Sequence, residues 1–200
     1  MDVQKLRAGL WRWSGTHPEW DHAEHWGPEV ASVYAELDDA VVVVDPLVPE
    51  DEEERFWAAL DRDVERAGRP LHVLLTVHWH ERSVATVLDR YHARLWRPET
   101  MGELPPGVRA ETVKGGDWVE ALFFLDRHRA LVTGDLLIGH AGGIELPVEW
   151  FPKDEREWAA TDLRADLRKR LADMPIELVL PSHGDPVLEN GAAAVERALA

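Results

Sequence analysis

The order of apolar and polar positions along the chain predicts strands and helices that alternate. The runs at residues 40–44 and 71–77 are continuously apolar, which is typical of strands buried on both faces. Polar residues Asp38 and Asp39 lie between two apolar runs and predict the turn of a hairpin. Strands are predicted at residues 10–13, 30–37, 40–44, 71–77, 118–125, 130–137 and 176–180.

Apolar residues at helical spacing predict the intervening helices. Residues 50–68 begin with an acidic turn, which suits the positive end of a helix dipole, and carry Phe56, Trp57, Leu60 and Val64 on one face. The acidic run is therefore interpreted as a solvated helix start. Further helices are predicted after Ser83, at residues 154–172 and at residues 190–200.

This alternation predicts an α/β fold in which two sheets are sandwiched between helices. The loop at residues 98–107 is rich in proline and glycine, and we expect it to connect the two halves. No repeat divides the chain, so residues 1–200 are interpreted as one domain.

Composition narrows the function classes. The chain has no cysteine, which excludes disulfides and thiolate ligands, and the predicted location is the cytoplasm. With 38 acidic and 22 basic residues, the net charge of −16 would repel nucleic acid and anionic membranes. No apolar run approaches the ~20 residues that a membrane span needs. We therefore expect a small-molecule substrate rather than a nucleic acid or a membrane; the sequence leaves the oligomeric state open.

Two histidines follow the predicted strand at residues 71–77. In an extended segment alternate side chains point the same way, so His78 and His80 would present their nitrogens to one metal ion while Trp79 faces elsewhere. Histidines at this spacing also occur by chance, so the pair needs support from other motifs.

That support comes from four segments that together resemble the motifs of the metallo-β-lactamase fold superfamily. The hexapeptide His78-Trp79-His80-Glu81-Arg82-Ser83 resembles its His-x-His-x-Asp-His motif. Asp45, Asp135 and His183 each follow an apolar run, in the order in which the superfamily places an Asp, a Gly-Asp and a last metal-binding His. The resemblance covers roughly residues 10 to 190. It implies a four-layer αββα sandwich of two mixed β-sheets flanked by helices, and a metal-dependent hydrolase.

The chain departs from these motifs at both metal sites. Arg82 and Ser83 stand where the superfamily has Asp and His, and the His of its third motif would fall near Gly116. The resemblance thus leaves His78, His80, Asp135 and His183 as ligands for one divalent metal. Zinc is expected, with iron or manganese as alternatives. Four protein ligands would fill a tetrahedral zinc, whereas a catalytic zinc keeps one position open for water.

The other motif residues have alternative interpretations. Asp45 either braces the metal loop through hydrogen bonds, as the resemblance implies, or only caps a strand. Asp135 either binds metal or holds a tight turn. His183 can equally be a neutral, hydrogen-bonded imidazole. Arg82 has three interpretations: a catalytic positive charge replacing the second metal, a partner that neutralises Asp135 without any metal, or a side chain that extends to solvent.

Further residues are candidates for completing the site. His17, His22 and His25 can supply a replacement ligand or form a surface loop, and Asp117 or Glu120 can supply a substitute carboxylate. Some of the ten tryptophans, among them Trp79, Trp118 and Trp150, can line an apolar substrate pocket. Two functions follow: a hydrolase of a small ester, thioester or lactam-like substrate, or a non-catalytic protein of the same fold that binds a ligand or partner and needs no metal.

Overall fold

Two β-sheets lie face to face between two groups of helices in the computed structural model, which describes residues 1–22, 24, 26–100, 102–141 and 143–200. The strands are β1 (Asp2–Arg7), β2 (Leu10–Thr16), β3 (Glu29–Glu36), β4 (Val41–Val44), β5 (Leu71–Leu74), β6 (Arg94–Trp96), β7 (Val108–Lys114), β8 (Val119–Leu125), β9 (Ala130–Thr133), β10 (Ile138–His140), β11 (Gly143–Glu145) and β12 (Leu178–Pro181). One sheet has the order β1-β2-β3-β4-β5-β6 and the other β12-β9-β8-β7, while β10 and β11 form a separate ribbon.

The helices cover the outer faces of the two sheets. They are α1 (Glu53–Ala67), α2 (Val84–Tyr91), α3 (Arg156–Trp158), a π-helical turn (Ala159–Leu163), α4 (Arg164–Leu171) and α5 (Gly191–Ala198). Helices α1 and α2 pack on the first sheet. The segment from α3 to α4, together with α5, packs on the second. The order of layers is therefore helix, sheet, sheet, helix.

Strand β4 shows why the central strands are continuously apolar. Val42 and Val44 face the core between the two sheets, and Val41 and Val43 face the core beneath α1 and α2. Both faces of the strand are thus buried, and a polar residue on either face would lie in an apolar core. The parallel pairing of β4 with β5 is part of the same arrangement, because it carries the ends of both strands to one edge of the sheet.

The predicted α/β sandwich of two mixed sheets is confirmed. Each sheet combines parallel and antiparallel pairs. The strand predicted at residues 71–77 ends at Leu74, and the edge strands β1 and β7 were not predicted. Both edge strands carry polar residues on partly exposed faces, so their sequences lack the apolar runs that reveal the central strands. Among the described residues, no helix is both long and apolar enough to cross a membrane.

Candidate metal centre

Three chain segments at one edge of the sandwich bring His80, Asp135 and His183 together. His80 follows β5, Asp135 follows β9, and His183 follows β12. Oδ1 of Asp135 lies 3.3 Å from Nε2 of His80 and 3.2 Å from Nε2 of His183. One ligand atom from each residue lies within 4.8 Å of the other two. Two imidazole nitrogens and one carboxylate oxygen therefore converge on a single point.

His80 is held in one orientation by Asp45 and Thr76. Its Nδ1 lies 2.9 Å from Oδ2 of Asp45 and 3.0 Å from the hydroxyl of Thr76. The same Asp45 accepts hydrogen bonds from the backbone N–H of Thr76 at 2.8 Å and from its hydroxyl at 2.5 Å. With Nδ1–H donating to Asp45, Nε2 of His80 faces Asp135, and a metal would bind there by displacing the proton on Nε2. This is the arrangement in which a second carboxylate orients a metal-binding histidine.

The three groups strongly influence one another's protonation. Burial lowers the pKa of His80, but the carboxylates of Asp135 and Asp45 outweigh burial and raise it to about 9. Burial opposes ionisation of Asp135, yet the imidazoles of His80 and His183 hold its pKa well below the usual range. Burial lowers the pKa of His183, so this imidazole is neutral at neutral pH. At neutral pH one proton and one carboxylate charge thus share the centre of the cluster.

The centre fits a metal ion better than it fits a hydrogen-bond network. Oδ1 of Asp135 is buried and makes no hydrogen bond of good geometry with the described residues, although two Nε2 atoms lie 3.3 and 3.2 Å away. Buried polar atoms normally have partners, since leaving one unsatisfied costs about 1–3 kcal/mol. Two histidines and one carboxylate are a ligand set that zinc accepts, and three protein ligands leave a fourth position for water.

The structure does not bring His78 to this cluster. Residues His78–His80 form a turn of 3-10 helix rather than an extended segment, so side chains two positions apart diverge. The His78 side chain is exposed, and its Nδ1 lies 3.8 Å from Oε1 of Glu99. The expected convergence of His78 and His80 was therefore wrong, because the strand ends at Leu74 and not at Val77. Because His78 lies outside the cluster, four protein ligands no longer fill the tetrahedral positions of a zinc ion.

Arg82 lies beneath the cluster and does not form the expected ion pair with Asp135. Its Nη1 donates to the carbonyl oxygens of Ala31 at 3.0 Å and Asp45 at 3.3 Å. Its Nη2 donates to the hydroxyl of Ser182 at 2.9 Å. These acceptors take both terminal nitrogens, so the guanidinium neither reaches Asp135 nor extends to solvent. Arg82 instead ties the segments that carry Asp45 and His183 together.

The loop that carries His183 depends on close backbone packing and on a second arginine. The buried side chain of Arg12 donates to the carbonyl oxygen of Gly184 at 2.6 Å. The N–H of Gly139 donates to the carbonyl oxygen of His183 at 2.8 Å. A Cβ on Gly139 would lie only 2.1 Å from the carbonyl oxygen of Asp185. Sequence reasoning missed Arg12, whose only signal was a basic residue within an otherwise apolar strand.

The other candidate residues fall into three groups. Glu120 is buried on β8, accepts the N–H of Leu136 at 2.9 Å and borders the cavity beside the cluster. Burial raises the pKa of its carboxyl well above the usual value. His17 and Asp117 also border that cavity, whereas His22 makes an edge-to-face contact with Trp20, with ring centroids 4.8 Å apart. His25 lies outside the described residues.

The cavity itself has a volume of about 430 Å³ and opens beside the cluster. Trp79, Trp118 and Trp150 all contribute to its wall, as does Trp26. The indole rings of Trp26 and Trp150 pack against the His183 ring, with centroids 5.3 Å and 5.2 Å away. A small molecule in this cavity would therefore contact aromatic rings and the cluster of His80, Asp135 and His183 together.

Comparison with known protein structures identifies the fold. No protein-family model matches the chain, and no curated protein matches it. A metallo-β-lactamase from Erythrobacter litoralis is similar at 16% identity and a TM-score of 0.60, covering 98% of this chain and 89% of its own. The structure of VMB-1 is similar at 13% identity and a TM-score of 0.59, covering 100% of this chain and 98% of its own. FIM-1, a metallo-β-lactamase from Pseudomonas aeruginosa crystallised in a mono-zinc form, is similar at 14% identity and a TM-score of 0.57. The match covers 99% of this chain and 96% of FIM-1.

The chain thus has the metallo-β-lactamase fold over its whole length, as the resemblance of its motifs predicted. At these identities the similarity establishes the fold alone, so any activity must be argued from the site of this chain.

Proposed function

We propose that the protein is a metal-dependent hydrolase that uses one divalent metal, zinc, held by His80, Asp135 and His183. The observation that carries the proposal is the convergence of three ligand atoms within 4.8 Å of one another: the buried Oδ1 of Asp135 lies 3.3 and 3.2 Å from Nε2 of His80 and His183. FIM-1, a protein of the same fold, has been crystallised in a mono-zinc form, so a single ion is compatible with this architecture.

The substrate class we propose is a small ester, thioester or lactam-like carbonyl compound. When bound, a zinc ion would lower the pKa of a coordinated water toward ~7 and polarise the carbonyl oxygen. The protein's own residues prepare the site for this chemistry. Asp45 and Thr76 fix the tautomer of His80, and the cavity wall orients the substrate against the cluster.

Glu120 is suited to move a proton in this reaction. Its buried carboxyl borders the cavity, and its raised pKa keeps it protonated to higher pH than an ordinary glutamate. A protonated carboxyl can donate its proton to the leaving oxygen or nitrogen as the bond to the carbonyl breaks. Arg82 contributes a fixed positive charge beneath the site, and its Nη1 and Nη2 hold the backbone and Ser182, while its unpaired Nε is buried.

The test is the metal content of the purified protein, measured without chelators or a polyhistidine tag. We expect about one equivalent of metal in the wild-type chain and in His78→Ala, and none in His80→Ala or His183→Ala. His78→Ala is the matched control because it removes an exposed histidine of the same motif. Loss of metal in His78→Ala would instead support the four-ligand site.

The alternative is a non-catalytic protein of this fold, which the missing second-site ligands favour. Measurements of metal binding and of substrate turnover distinguish the two proposals. Metal-free protein that binds no added Zn²⁺ would rule out the hydrolase, and bound metal with no cleavage across esters, thioesters and lactams would favour the non-catalytic protein.

A further inference from the structure

The cavity beside the metal centre is unusually rich in tryptophan. Four tryptophans and one phenylalanine contribute to its wall: Trp26, Trp79, Trp118, Trp150 and Phe151. Trp79 is 47% exposed, although tryptophan is normally buried apart from its N–H. Aromatic surface left open at a cavity mouth indicates a ligand that covers it.

The indole N–H groups of three of these tryptophans point to carboxylates. Trp26 donates to Glu24 at 3.1 Å, and Trp79 donates to Asp135 at 2.7 Å. Trp118 donates to Glu155 at 3.1 Å. These N–H groups are therefore not available to an anionic ligand. The carboxylates also place negative charge at the edges of the rings, which makes the ring faces more attractive to a positive charge.

The cavity offers an anion little else to bind. Within the described part of the chain, Arg82 is the only lysine or arginine in the wall, and its terminal nitrogens already donate to protein acceptors. Asp117 adds a further carboxylate to the wall, and the whole chain carries a net charge of −16. The Nε of Arg82 has no hydrogen-bond partner among the described residues but is buried, and His80 belongs to the cluster itself. An anionic group among the indole rings would thus meet carboxylates and aromatic faces.

We propose that this cavity binds an organic cation, so that the substrate carries an alkylated ammonium group among the tryptophans while its carbonyl lies at the metal centre. The position of the carbonyl rests on the proposed function; the recognition of the cation rests on the aromatic wall. Aromatic rings attract ammonium groups through their negative faces, and alkylation adds an apolar surface that the rings can cover.

Three small ligands of nearly equal shape test the role of charge: choline, its neutral analogue 3,3-dimethylbutan-1-ol, and the anion 3,3-dimethylbutanoate. Binding is measured by NMR titration of the protein with and without bound Zn²⁺. We expect choline to bind about tenfold more tightly than the alcohol in both forms. We expect the carboxylate to bind the metal-free protein most weakly. Equal affinity for choline and the alcohol, or tightest binding of the carboxylate to the metal-free protein, would overturn the proposal.

Two variants locate the effect in this cavity. Trp150→Leu keeps an apolar side chain but removes the ring, and should weaken choline binding about fivefold or more while changing binding of the alcohol little. Glu24→Gln keeps an acceptor for the Trp26 N–H but removes the charge, and should weaken choline binding about two- to fivefold. Trp11→Leu, on β2 outside the cavity, is the matched control and should change neither affinity. Choline binding that is unchanged in both Trp150→Leu and Glu24→Gln would overturn the proposal. Two variants are used so that poor folding of one does not prevent the test.

The same measurements distinguish this inference from the proposed function. Preferential choline binding by a protein that binds no metal would refute the hydrolase and leave the cation site standing. Metal-dependent cleavage of uncharged esters without preference for choline or its esters would refute the cation site and leave the hydrolase standing.

Discussion

Oδ2 of Asp45 lies 2.9 Å from Nδ1 of His80, and both side chains are buried at 3% and 5% exposure. This contact fixes which nitrogen of His80 faces Asp135, because Nδ1–H donates to Asp45 and Nε2 is the nitrogen that loses its proton when a metal binds. Asp45 has φ 46°, a left-handed backbone conformation that is uncommon outside glycine. This backbone conformation at the end of β4 directs the Asp45 carboxylate toward His80.

Replacing Asp45 by asparagine should weaken metal binding. The asparagine amide oxygen is uncharged and accepts a hydrogen bond from Nδ1–H less strongly than the carboxylate does. His80 therefore loses the partner that sets its tautomer. We expect metal affinity to fall about 10- to 100-fold, measured by competition with a chromophoric chelator. Asp117→Asn, which removes a carboxylate of the cavity wall without such a contact, should leave metal affinity within about twofold. Equal loss in both variants would show that net charge, rather than orientation, controls the affinity.

The stability of the metal-free protein should fall between neutral and alkaline pH. The pKa of His80 is about 9 in the folded state and about 6.5 in the unfolded state. The stabilisation from its proton is thus complete below about pH 6.5 and is lost as the pH rises through about 9. We expect a decrease on the order of 2–3 kcal/mol in the free energy of unfolding, measured with urea between pH 6 and pH 10. His80→Gln should lack this slope, whereas His78→Gln should keep it.

Zinc should bind more tightly as the pH rises over the same interval. The metal must displace the proton that His80 holds, so binding releases about one proton below the pKa of His80. Calorimetric titration in buffers of different ionisation enthalpy measures this release. Proton release that is absent at pH 7 would show that Nε2 of His80 is already free, and would contradict the raised pKa.

Glu120→Gln should slow cleavage of esters whose leaving group needs a proton. The amide keeps the shape of the side chain and cannot donate a proton with carboxylic acidity. If the hydrolase proposal holds, kcat for an alkyl ester should fall about 10²-fold, while a 4-nitrophenyl ester should be affected little. A uniform loss for both esters would assign Glu120 a structural role through its contact with Leu136.

Arg82→Met should destabilise the fold and the site together. The substitution removes donors to Ala31, Asp45 and Ser182 and leaves buried acceptors unpaired, so we expect a loss of about 2–4 kcal/mol in urea denaturation. Arg82→Lys keeps the charge but cannot serve all of these acceptors, and should recover only part of the loss. Full recovery in the lysine variant would show that charge alone matters.

Gly139→Ala should displace the loop that carries His183. The added methyl would lie 2.1 Å from a backbone oxygen, a contact that only a backbone shift can relieve. We expect a loss of about 2–4 kcal/mol and weaker metal binding. Gly143→Ala is the matched control in the same ribbon, because its methyl would come no closer than 3.8 Å to a neighbouring atom. Similar effects in both variants would indicate that the ribbon is sensitive to any substitution.

Much of the fold could be predicted because the central strands are buried on both faces. Such strands must be continuously apolar, as β4 and β5 are, and the polar residues that follow them stand out in the sequence. Asp45, Asp135 and His183 stand out in this way, and the resemblance to the superfamily motifs gave them their expected roles. The polar edge strands β1 and β7 carry no such signal, because one of their faces meets solvent and tolerates any residue.

The sequence by itself determined which residue types stand at the strand ends, and hence the α/β sandwich and the possibility of a metal centre. Only the tertiary structure decided which of them meet. Three residues between Leu74 and His78 separate the strand from the histidine pair, and the helical turn that follows aims His80 inward and His78 outward. The direction of Arg82 was likewise decided by acceptors on β3, on β4's end and beside His183, which are distant in sequence. Side-chain direction at a loop depends on such long-range partners, and no local pattern encodes them.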